Sequence, residues 1–470
     1  MSIIVDANRQ FAVRVPVVIV GAGACGLIAA LAAHDAGARV LVIERDDRPS
    51  GSTALSSGFI PACNTRYQRE HDVEDSVRLM GEDILAKNHG ETDAMMVEAI
   101  CGTSGTVIEW LSDRHNLSFV LVDGFLYPGH RALRMHAMPE RTGAALMAAL
   151  LRAVTTAGID LLTSARVEAL ISDQSSRILG VGYARPDGSR DEVGCDALIL
   201  ASSGFGGSTA LVRQHMPEIS EAMYFGHSGN RGDALIWGME LGAAVADLTS
   251  YQGHGSVATP QNILISWALM MEGGVQVNSR GVRFSNEHLG YSEQCLPVVR
   301  QPGRVAWCVY DERLHRLGLE FEDYRLAQAA GAIRSGIDTR ELGKRAGVDS
   351  IGLAVTLQNI QEYAAGHLPD PFGRDFTAKP PLRAPFYAVK VTGALFHTQG
   401  GLMVDASARV LDSKGQVFPN LFAGGGAARG ISGAHVWGYL SGNGLLTATT
   451  LGYRAGVSAA RIINPHSIQR

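Results

Sequence analysis

The sequence predicts an α/β protein, because three separate apolar runs have the length of buried strands and each leads into small residues. The runs are Val17–Val20, Ala197–Leu200 and residues 420–423, and glycines follow each of them within a few positions. Strands that are covered on both faces read as continuous apolar runs, whereas half-exposed strands alternate. At 470 residues the chain is long enough for two or three domains, each with a sizeable core.

Composition excludes several classes of protein. Hydrophobic residues make up 46% and charged residues 19%, which is the balance of a soluble globular protein. The net charge of −5 comes without a basic run, so we expect no nucleic-acid partner. The six cysteines form no CxxC pair, and we expect reduced thiols in a cytoplasmic protein with no metal site. The first fifteen residues lack the layout of a secretory signal, and no stretch approaches the roughly 18 apolar residues of a membrane span.

The first apolar run opens a nucleotide-binding pattern. It is followed at once by the segment Gly21-Ala22-Gly23-Ala24-Cys25-Gly26, then by a helix rich in alanine and leucine, and then by a second strand that ends on Glu44. Gly21 allows the tight turn, Gly23 lets a pyrophosphate approach the backbone, and Gly26 lets helix and strand pack closely. The helix N-terminus attracts phosphates, and Glu44 can accept hydrogen bonds from a ribose. This pattern predicts a Rossmann-type βαβ unit that binds a dinucleotide.

The segments that follow favour FAD over a nicotinamide dinucleotide. Residues 49–58 form a long small-residue loop, and residues 197–207 and 420–426 each run from a strand into glycines. A dinucleotide whose second half reaches across the domain needs such a bed of accessible backbone. Only one complete fingerprint is present, so we do not expect a second site for NAD(P)H.

Further motifs occur in a fixed order: Gly232-Asp233-Ala234, residues 277–287, residues 370–374 and residues 397–402. Together with the fingerprint and the 49–58 loop, they resemble the fumarate reductase/succinate dehydrogenase flavoprotein family, which includes ketosteroid dehydrogenases. The resemblance implies a Rossmann-type FAD-binding domain in two parts, residues 1–246 and 386–470, with an inserted α+β capping (substrate) domain at residues 247–385. It also implies a set of cofactor-binding residues: Gly21, Gly23, Ala24, Gly26, Glu44, Arg45, Gly51, Ser52, Thr53, Val167, Ala201, Gly204, Gly425, Asn443 and Leu445.

Three departures from the respiratory members of this family are informative. Those enzymes often tether FAD through a histidine where this chain has Ser52, so we expect non-covalent FAD. Fumarate-type members also place active-site arginines at the positions of Met270 and Val436. Without these two guanidinium groups the chain lacks the bidentate clamps that a C4-dicarboxylate needs. The resemblance therefore disfavours a true fumarate reductase or succinate dehydrogenase.

The C-terminal run at residues 437–444 has a sharper likeness. It resembles the Gly-Tyr-x-Ser-Gly signature of the Δ4-(5α) branch of the 3-ketosteroid dehydrogenases, which implies roles in proton abstraction for Tyr439 and Ser441. Removing a proton next to a ketone requires only a modest base, because the carbonyl acidifies that proton. Hydrogen-bond donors at the carbonyl oxygen stabilise the enolate that results.

Two histidines, His254 and His397, match positions that border the substrate pocket in the family. A neutral imidazole at either position can hold a carbonyl or carboxylate oxygen, and the alternative is a histidine satisfied by a backbone carbonyl. Arg429 is either an anion anchor or the partner of a surface acid. We expect Arg283 and Glu287 to form a structural pair. A basic stretch is expected to be mostly solvated: Arg131, Arg134, His136 and Arg141.

The sequence as a whole favours an FAD-dependent desaturase that introduces a C=C bond next to the carbonyl of a cyclic ketone, or reduces the enone. The substrate is expected to be 3-ketosteroid-like or oxocyclohexanecarboxylate-like, and the electron acceptor (oxygen, a quinone or a carrier) is unknown. One alternative is a reductase or dehydrogenase of an unsaturated carboxylic acid, with His254 and His397 as anchors. Another is a flavin-binding electron-transfer protein.

Overall fold

A computed structural model of the chain describes residues 2–463. The strands are β1 (Ser2–Val5), β2 (Val17–Val20), β3 (Val40–Ile43), β4 (Ile60–Pro61), β5 (Val120–Leu121), β6 (Met135–Ala137), β7 (Asp160–Leu162), β8 (Arg166–Ser172), β9 (Ile178–Ala184), β10 (Arg190–Gly194), β11 (Ala197–Leu200), β12 (Met223–Tyr224), β13 (Val245–Ala246), β14 (Tyr251–Ala258), β15 (Ile263–Leu264), β16 (Val275–Val277), β17 (Val305–Asp311), β18 (Ile333–Gly336), β19 (Phe386–Thr398), β20 (Gly401–Leu402), β21 (Arg409–Leu411) and β22 (Val417–Ala423). The helices are α1 (Ala24–Asp35), α2 (Gly51–Ala54), α3 (Arg66–Glu70), α4 (Val77–Lys87), α5 (Ala94–His115), α6 (Gly143–Thr156), α7 (Thr209–His215), α8 (Asp233–Glu240), α9 (Ala268–Met271), α10 (Cys295–Val299), α11 (Glu312–Gly318), α12 (Glu322–Ala329), α13 (Thr339–Ala346), α14 (Ser350–Ala364) and α15 (Asn443–Ile463).

The described part of the chain forms two compact units. The first takes in the chain up to Met216, Gly226–Tyr251, and the chain from His397 onward. The second consists of Pro217–Phe225 and Gln252–Phe396. The domain limits expected from the family resemblance, 247 and 385, stay a prediction.

The first unit is built on a six-stranded sheet in the order β21-β22-β11-β2-β3-β7. The three apolar runs that predicted the fold lie side by side in it, because β11 pairs in parallel with both β2 and β22. β2 also pairs in parallel with β3, so strand, helix and strand form the predicted βαβ unit. Smaller sheets of four, three and two strands complete this unit. The predicted α/β class with a Rossmann-type domain is confirmed.

Two helices of the first unit, α1 and α15, pack directly on each other. A Cβ on Gly456 of α15 would overlap the carbonyl oxygen of Ala29 in α1, and a Cβ on Gly452 would lie 2.5 Å from the carbonyl oxygen of Cys25. Only glycine at these two positions lets the helix backbones approach so closely. The helix that starts at the nucleotide fingerprint is therefore held against the helix that starts beside the predicted active-site motif.

The second unit is an α+β structure around the sheet β15-β14-β19-β17-β16, with β12 and β18 also paired to β19. A buried charge network stabilises it. Arg283 Nη2 lies 2.7 Å from Glu287 Oε2, Arg374 Nη1 lies 3.0 Å from the same oxygen, and Asp370 pairs with Arg283. The expected structural pair of Arg283 and Glu287 is confirmed. Burial raises the pKa of Glu287, but Arg374 and Arg283 more than offset this and lower it to about 2.

Candidate active site

The dinucleotide fingerprint is a tight strand–turn–helix in which Gly23 is the N-cap of α1. A Cβ on Gly21 would lie 2.6 Å from the carbonyl oxygen of Ala201, and a Cβ on Gly26 would overlap the carbonyl oxygen of Gly21. Both positions therefore need glycine for packing alone. A Cβ on Gly23 would meet only Thr53 Oγ1, at 3.7 Å. The space in front of Gly23 is open, which is where a pyrophosphate has to approach.

The first turn of α1 suits an anion. The N–H of Ala24 donates to Thr53 Oγ1 at 3.2 Å, and the start of a helix carries outward-facing N–H groups with a partial positive charge. Glu44, at the end of β3, accepts from the N–H groups of Ala22 at 2.8 Å and Asp46 at 3.0 Å. A carboxylate has about four lone-pair sites, so Glu44 retains acceptor capacity for a ribose hydroxyl.

Three buried polar atoms around this cradle lack a hydrogen-bond partner among residues 2–463: Ser202 Oγ, Arg166 Nε and Asp233 Oδ1. Ser202 lies beside Gly21, since a Cβ on that glycine would be 3.0 Å from Ser202 Cα. Burial raises the pKa of Asp233, and Arg166 and Arg45 oppose this shift. Unsatisfied buried polar groups are costly. A bound ligand with hydroxyl and phosphate groups would satisfy them, so the residues present fit a dinucleotide.

The small-residue loop at 49–58 is partly helical, because Gly51, Ser52 and Thr53 all belong to the single turn of α2. Ser52 Oγ accepts from Asn230 Nδ2 at 2.8 Å and from the N–H of His227 at 3.3 Å. A hydroxyl in this position offers no imidazole for a covalent tether.

The other predicted cofactor residues also lie in the first unit. Arg45 donates from Nη1 to the carbonyl oxygen of Gly229 at 2.9 Å. A Cβ on Gly204 would overlap Thr398 Oγ1, so this glycine is required for packing. The remaining members lie at strand ends and helix starts: Val167 in β8, Ala201 after β11, Gly425 (φ 58°) after β22, and Asn443 and Leu445 in the first turn of α15. Their contact with the cofactor stays a prediction.

Tyr439 and His397, predicted separately, come together in the first unit. Tyr439 lies between a 3₁₀ turn, Val436–Gly438, and the start of α15, and it is 5% exposed. Its ring meets that of His397 edge to face, with centroids 5.6 Å apart and an interplanar angle of 73°. Ser441, two residues further on, is also buried. Burial lowers the pKa of His397 to about 4, so the imidazole is neutral at pH 7.

A second tyrosine, Tyr127, belongs to the same neighbourhood and was missed in the sequence. Burial and the electrostatic effect of Tyr439 both raise the pKa of Tyr127. The following turn packs on the motif, since a Cβ on Gly129 would lie 2.8 Å from Leu440 Cδ1. No local pattern marks Tyr127, because its relation to Tyr439 spans about 300 residues of chain.

The backbone of the motif is held by a buried charge cluster. His130 Nε2 donates to the carbonyl oxygen of Ser441 at 3.0 Å, and Arg134 Nη1 donates to His130 Nδ1 at 3.1 Å. Arg134 is fully buried and pairs with Asp75 at 2.8 Å and Asp83 at 2.6 Å. Burial lowers the pKa of His130 to about 4, and Arg134 acts in the same direction. The cluster fixes the position of the segment that carries Tyr439 and Ser441.

The expectation that the basic stretch is mostly solvated was wrong for Arg134 and His136. Both are buried, and His136 Nδ1 lies 2.9 Å from the carbonyl oxygen of Arg134 while its Nε2 lies 2.8 Å from Thr65 Oγ1. Arg131 is half-exposed and pairs with Glu82 at 2.9 Å and with Asp83. The charges of Arg131 and Arg134 are neutralised by acidic residues that are distant in sequence, in α4 and in the loop before it.

His254 lies in the second unit. Its ring stacks on Tyr291 at 4.8 Å and on Phe396 at 5.2 Å, and the edge of Trp267 faces it at 5.9 Å. Nδ1 accepts from the N–H of Ser256 at 3.2 Å. Burial lowers the pKa of His254 to about 3, which keeps the ring neutral. Its place in a substrate site stays a prediction.

Two arginines that could bind a substrate carboxylate, Arg429 and Arg374, form ion pairs with acidic side chains of the protein. Arg429 Nε lies 2.6 Å from Asp247 Oδ2, which favours the ion pair over the anion anchor. Met270, at the position of one fumarate-type arginine, is buried, and its carbonyl oxygen accepts from Arg374 Nη2 at 3.2 Å. Arg374 is in turn paired with Glu287.

The described residues contain neither a metal-binding cluster nor a membrane-spanning helix. Between residues 2 and 463, no three His, Cys, Asp or Glu side chains cluster in a way that could hold a metal ion. None of the helices in this range combines the length and apolarity that crossing a membrane requires.

The fold and the cradle define a dinucleotide-binding protein, and comparison with known proteins identifies the family. The chain belongs to the FAD binding domain family, which it matches over residues 16–445. It is an FAD-dependent oxidoreductase that acts on CH–CH groups, and the resemblance predicted from its motifs is confirmed.

Two curated relatives illustrate the range of this family. The chain is 28% identical over 447 residues to a probable fumarate reductase of Shewanella frigidimarina, covering 95% of this chain and 74% of the relative. It is 25% identical over 546 residues to the 4-oxocyclohexanecarboxylate 2-dehydrogenase of Sinomonas cyclohexanicum, covering 94% and 92%.

Two solved structures have the same fold. The open conformation of a flavocytochrome c3 fumarate reductase matches with a TM-score of 0.81 and 28% identity, over 96% of this chain and 79% of that one. The 3-ketosteroid Δ4-(5α)-dehydrogenase of Rhodococcus jostii RHA1, in complex with 4-androstene-3,17-dione, matches with a TM-score of 0.77 and 25% identity, over 98% and 99%.

Proposed function

We propose that this flavoprotein desaturates a cyclic ketone next to its carbonyl group, or catalyses the reverse reduction of an enone. The observation that carries the proposal is the contact of buried Tyr439 with neutral His397. It places a phenol and an imidazole side by side in the unit that holds the nucleotide cradle.

The residues of this site supply the proton chemistry. Tyr439 reacts as the phenolate, which accepts the α-proton and becomes the neutral phenol, and the hydroxyl group of Ser441, two positions further along the chain, stabilises the phenolate by a hydrogen bond. A neutral imidazole at His397 donates a hydrogen bond to the carbonyl oxygen and stabilises the enolate. FAD bound in the cradle supplies a two-electron acceptor for the hydride that leaves the β-carbon, so that the C=C bond forms as one proton and one hydride depart.

The cradle residues that hold FAD in this proposal are the N-terminal turn of α1, Glu44, and the buried groups of Ser202, Arg166 and Asp233. Ser52 at the tether position supports non-covalent binding.

Three side chains support the choice of a ketone over a dicarboxylate. Neither Met270 nor Val436 can clamp a dicarboxylate, and Arg429 is paired with Asp247. A ketone requires no such clamp. The relatives that act on 4-oxocyclohexanecarboxylate and on 3-ketosteroids favour a ring of either size. We include in the proposal a cytoplasmic location and an electron acceptor that is oxygen, a quinone or a carrier.

An anaerobic stopped-flow screen tests the proposal. The FAD-loaded protein is mixed with saturated cyclic ketones, including 4-oxocyclohexanecarboxylate and a 3-ketosteroid, and with succinate, and loss of the oxidised flavin absorbance is followed. We expect a ketone to bleach the flavin, and Tyr439→Phe to slow this on the order of 10²-fold or more. Trp437→Phe, a change of a neighbouring aromatic residue, serves as the matched control.

The second candidate is oxidation or reduction of an unsaturated carboxylic acid. It is favoured by the 28% identity to a fumarate reductase, which exceeds the 25% to the ketone dehydrogenases. Bleaching by succinate alone, unaffected in Tyr439→Phe, would establish this candidate and refute the ketone. A preparation that binds FAD but reacts with none of these compounds would favour an electron-transfer protein.

A further inference from the structure

His397 is held from one side by the side chain of Gln399. Gln399 Nε2 lies 2.9 Å from His397 Nδ1, and the carbonyl oxygen of Thr398 is the next neighbour of that nitrogen, at 3.3 Å. The position of Gln399 is fixed, because both its backbone N–H and its backbone carbonyl group form hydrogen bonds. Its N–H donates to the carbonyl oxygen of Ser250 at 2.8 Å, and its carbonyl oxygen accepts from the N–H of Gly430 at 2.7 Å.

The amide of Gln399 is in turn oriented by two further side chains. Asn443 Nδ2 donates to Ser432 Oγ at 3.0 Å, and the Ser432 hydroxyl group donates to Gln399 Oε1 at 2.7 Å. Ser432, Asn443 and Gln399 are all buried. Every bond in this chain runs in one direction, from Asn443 towards His397. With Oε1 engaged by Ser432, the atom that Gln399 presents to His397 is its NH₂ group.

An amide nitrogen can only donate a hydrogen bond, so His397 Nδ1 has to accept it. A neutral imidazole that accepts at Nδ1 carries its proton on Nε2. That edge of the ring lies against the start of α15, since a Cβ on Gly444 would be 2.7 Å from Nε2 and 2.6 Å from Cε1. The ring is half-buried, so part of it remains accessible.

We propose that Gln399, aligned by Ser432 and Asn443, is a positioning residue that fixes His397 as the Nε2–H tautomer, so that His397 offers a donor to a carbonyl or enolate oxygen. This inference rests on the proposed function for the identity of the oxygen, but not for the tautomer. The neutral ring then acts as a hydrogen-bond donor without gaining a full charge, and it cannot compete with Tyr439 for the α-proton through Nε2.

The test uses nitrogen chemical shifts, which distinguish a protonated ring nitrogen from an unprotonated one. FAD-loaded protein is labelled with ¹⁵N-histidine. The resonances of His397 are assigned as those that are missing from the spectrum of the His397→Gln variant. In the wild type we expect Nε2 protonated and Nδ1 unprotonated. In Gln399→Glu the carboxylate can only accept, so the proton should move to Nδ1 or the ring should become doubly protonated. Ser432→Ala frees the amide to turn and should populate both tautomers.

Activity gives a second readout. Gln399→Glu should lower kcat for the ketone on the order of 10²-fold, the loss typical of removing one oxyanion donor, while KM changes less. Gln416→Glu makes the same substitution at an exposed position and should leave both the spectrum and kcat unchanged. FAD content and far-UV circular dichroism verify that each variant is folded.

The outcomes separate this inference from the proposed function. A wild-type ring protonated at Nδ1, or a spectrum that Gln399→Glu does not alter, would overturn the inference even if ketones bleach the flavin. The expected tautomer and its switch in Gln399→Glu would support the inference even if no ketone reacts, in which case the proposed substrate is wrong.

Discussion

We expect Gly23→Ala to lower the affinity for FAD and Gly26→Ala to lower the stability of the fold, although both glycines belong to the same fingerprint. A Cβ at Gly26 overlaps a backbone oxygen that cannot rotate away, whereas a Cβ at Gly23 meets only Thr53 Oγ1 at 3.7 Å. Gly23 also has extended backbone angles, φ −77° and ψ −176°, which alanine adopts without strain. The structure therefore assigns one glycine to packing and the other to the ligand.

The magnitudes follow from these contacts. Gly26→Ala is an overpacking change, which costs about 1–3 kcal/mol or more in free energy of unfolding, offset by about 1 kcal/mol of helix propensity. Gly23→Ala gains about 0.4–1 kcal/mol through the unfolded state and loses a similar amount because alanine is a poorer N-cap. Its effect on the apoprotein is close to zero. If the methyl group displaces one hydrogen bond to a phosphate, worth about 1.5–3 kcal/mol, FAD affinity falls about 10- to 150-fold.

Two measurements on each variant check this reasoning. Urea unfolding of the apoprotein gives the free energy of unfolding, and fluorescence titration gives the Kd for FAD. We expect Gly23→Ala to keep its stability and lose FAD affinity, and Gly26→Ala to lose stability. A Gly23→Ala protein that binds FAD as tightly as the wild type would refute the placement of the pyrophosphate at α1.

Three further predictions concern other parts of the first unit. Arg134→Met removes the buried ion pairs with Asp75 and Asp83, of which only Asp83 keeps an arginine partner, Arg131. It should lower the free energy of unfolding by about 3–5 kcal/mol in urea titration, and a loss below about 1 kcal/mol would contradict the buried cluster. Burial lowers the pKa of His136 to about 4, so the unfolded chain binds a proton near pH 6.5 that the folded chain does not. Stability should fall as pH drops from about 6.5 to 4, by about 1.4 kcal/mol per pH unit for each such histidine, and His136→Gln should reduce this slope while exposed His367→Gln should not. Acid precipitation should release all the flavin into the supernatant, because Ser52 provides no tether, and flavin retained in the pellet would show a covalent link.

The sequence predicted those parts of the molecule whose pattern is local. The strand, the three glycines and Glu44 fall within 28 residues, so their spacing alone predicted the βαβ unit that the structure confirms. Such features depend on neighbours along the chain, which a reader of the sequence can see.

The surroundings of the site could not be predicted, because their partners are remote. His130 reaches Ser441 across 311 positions, and Ser432 is 33 positions from Gln399. Arg134 resembled a solvated arginine because its acids lie more than 50 positions upstream, in and before α4. The role of such polar side chains becomes visible only in the folded structure, which brings their hydrogen-bond partners next to them.

The close packing of α1 on α15 separates the helix pair behind the predicted cofactor site from the loop that carries the predicted catalytic residues. The two helices form one scaffold, with the phosphate-binding turn at the start of one and the loop at residues 431–442 leading into the other. The same loop contains Tyr439, Ser441 and Val436, the position at which fumarate-type members carry an arginine. A lineage with such a scaffold can acquire a new substrate through a dozen residues of one loop, and transplanting residues 431–442 from a fumarate reductase offers a direct route to a changed reaction on an intact cofactor site.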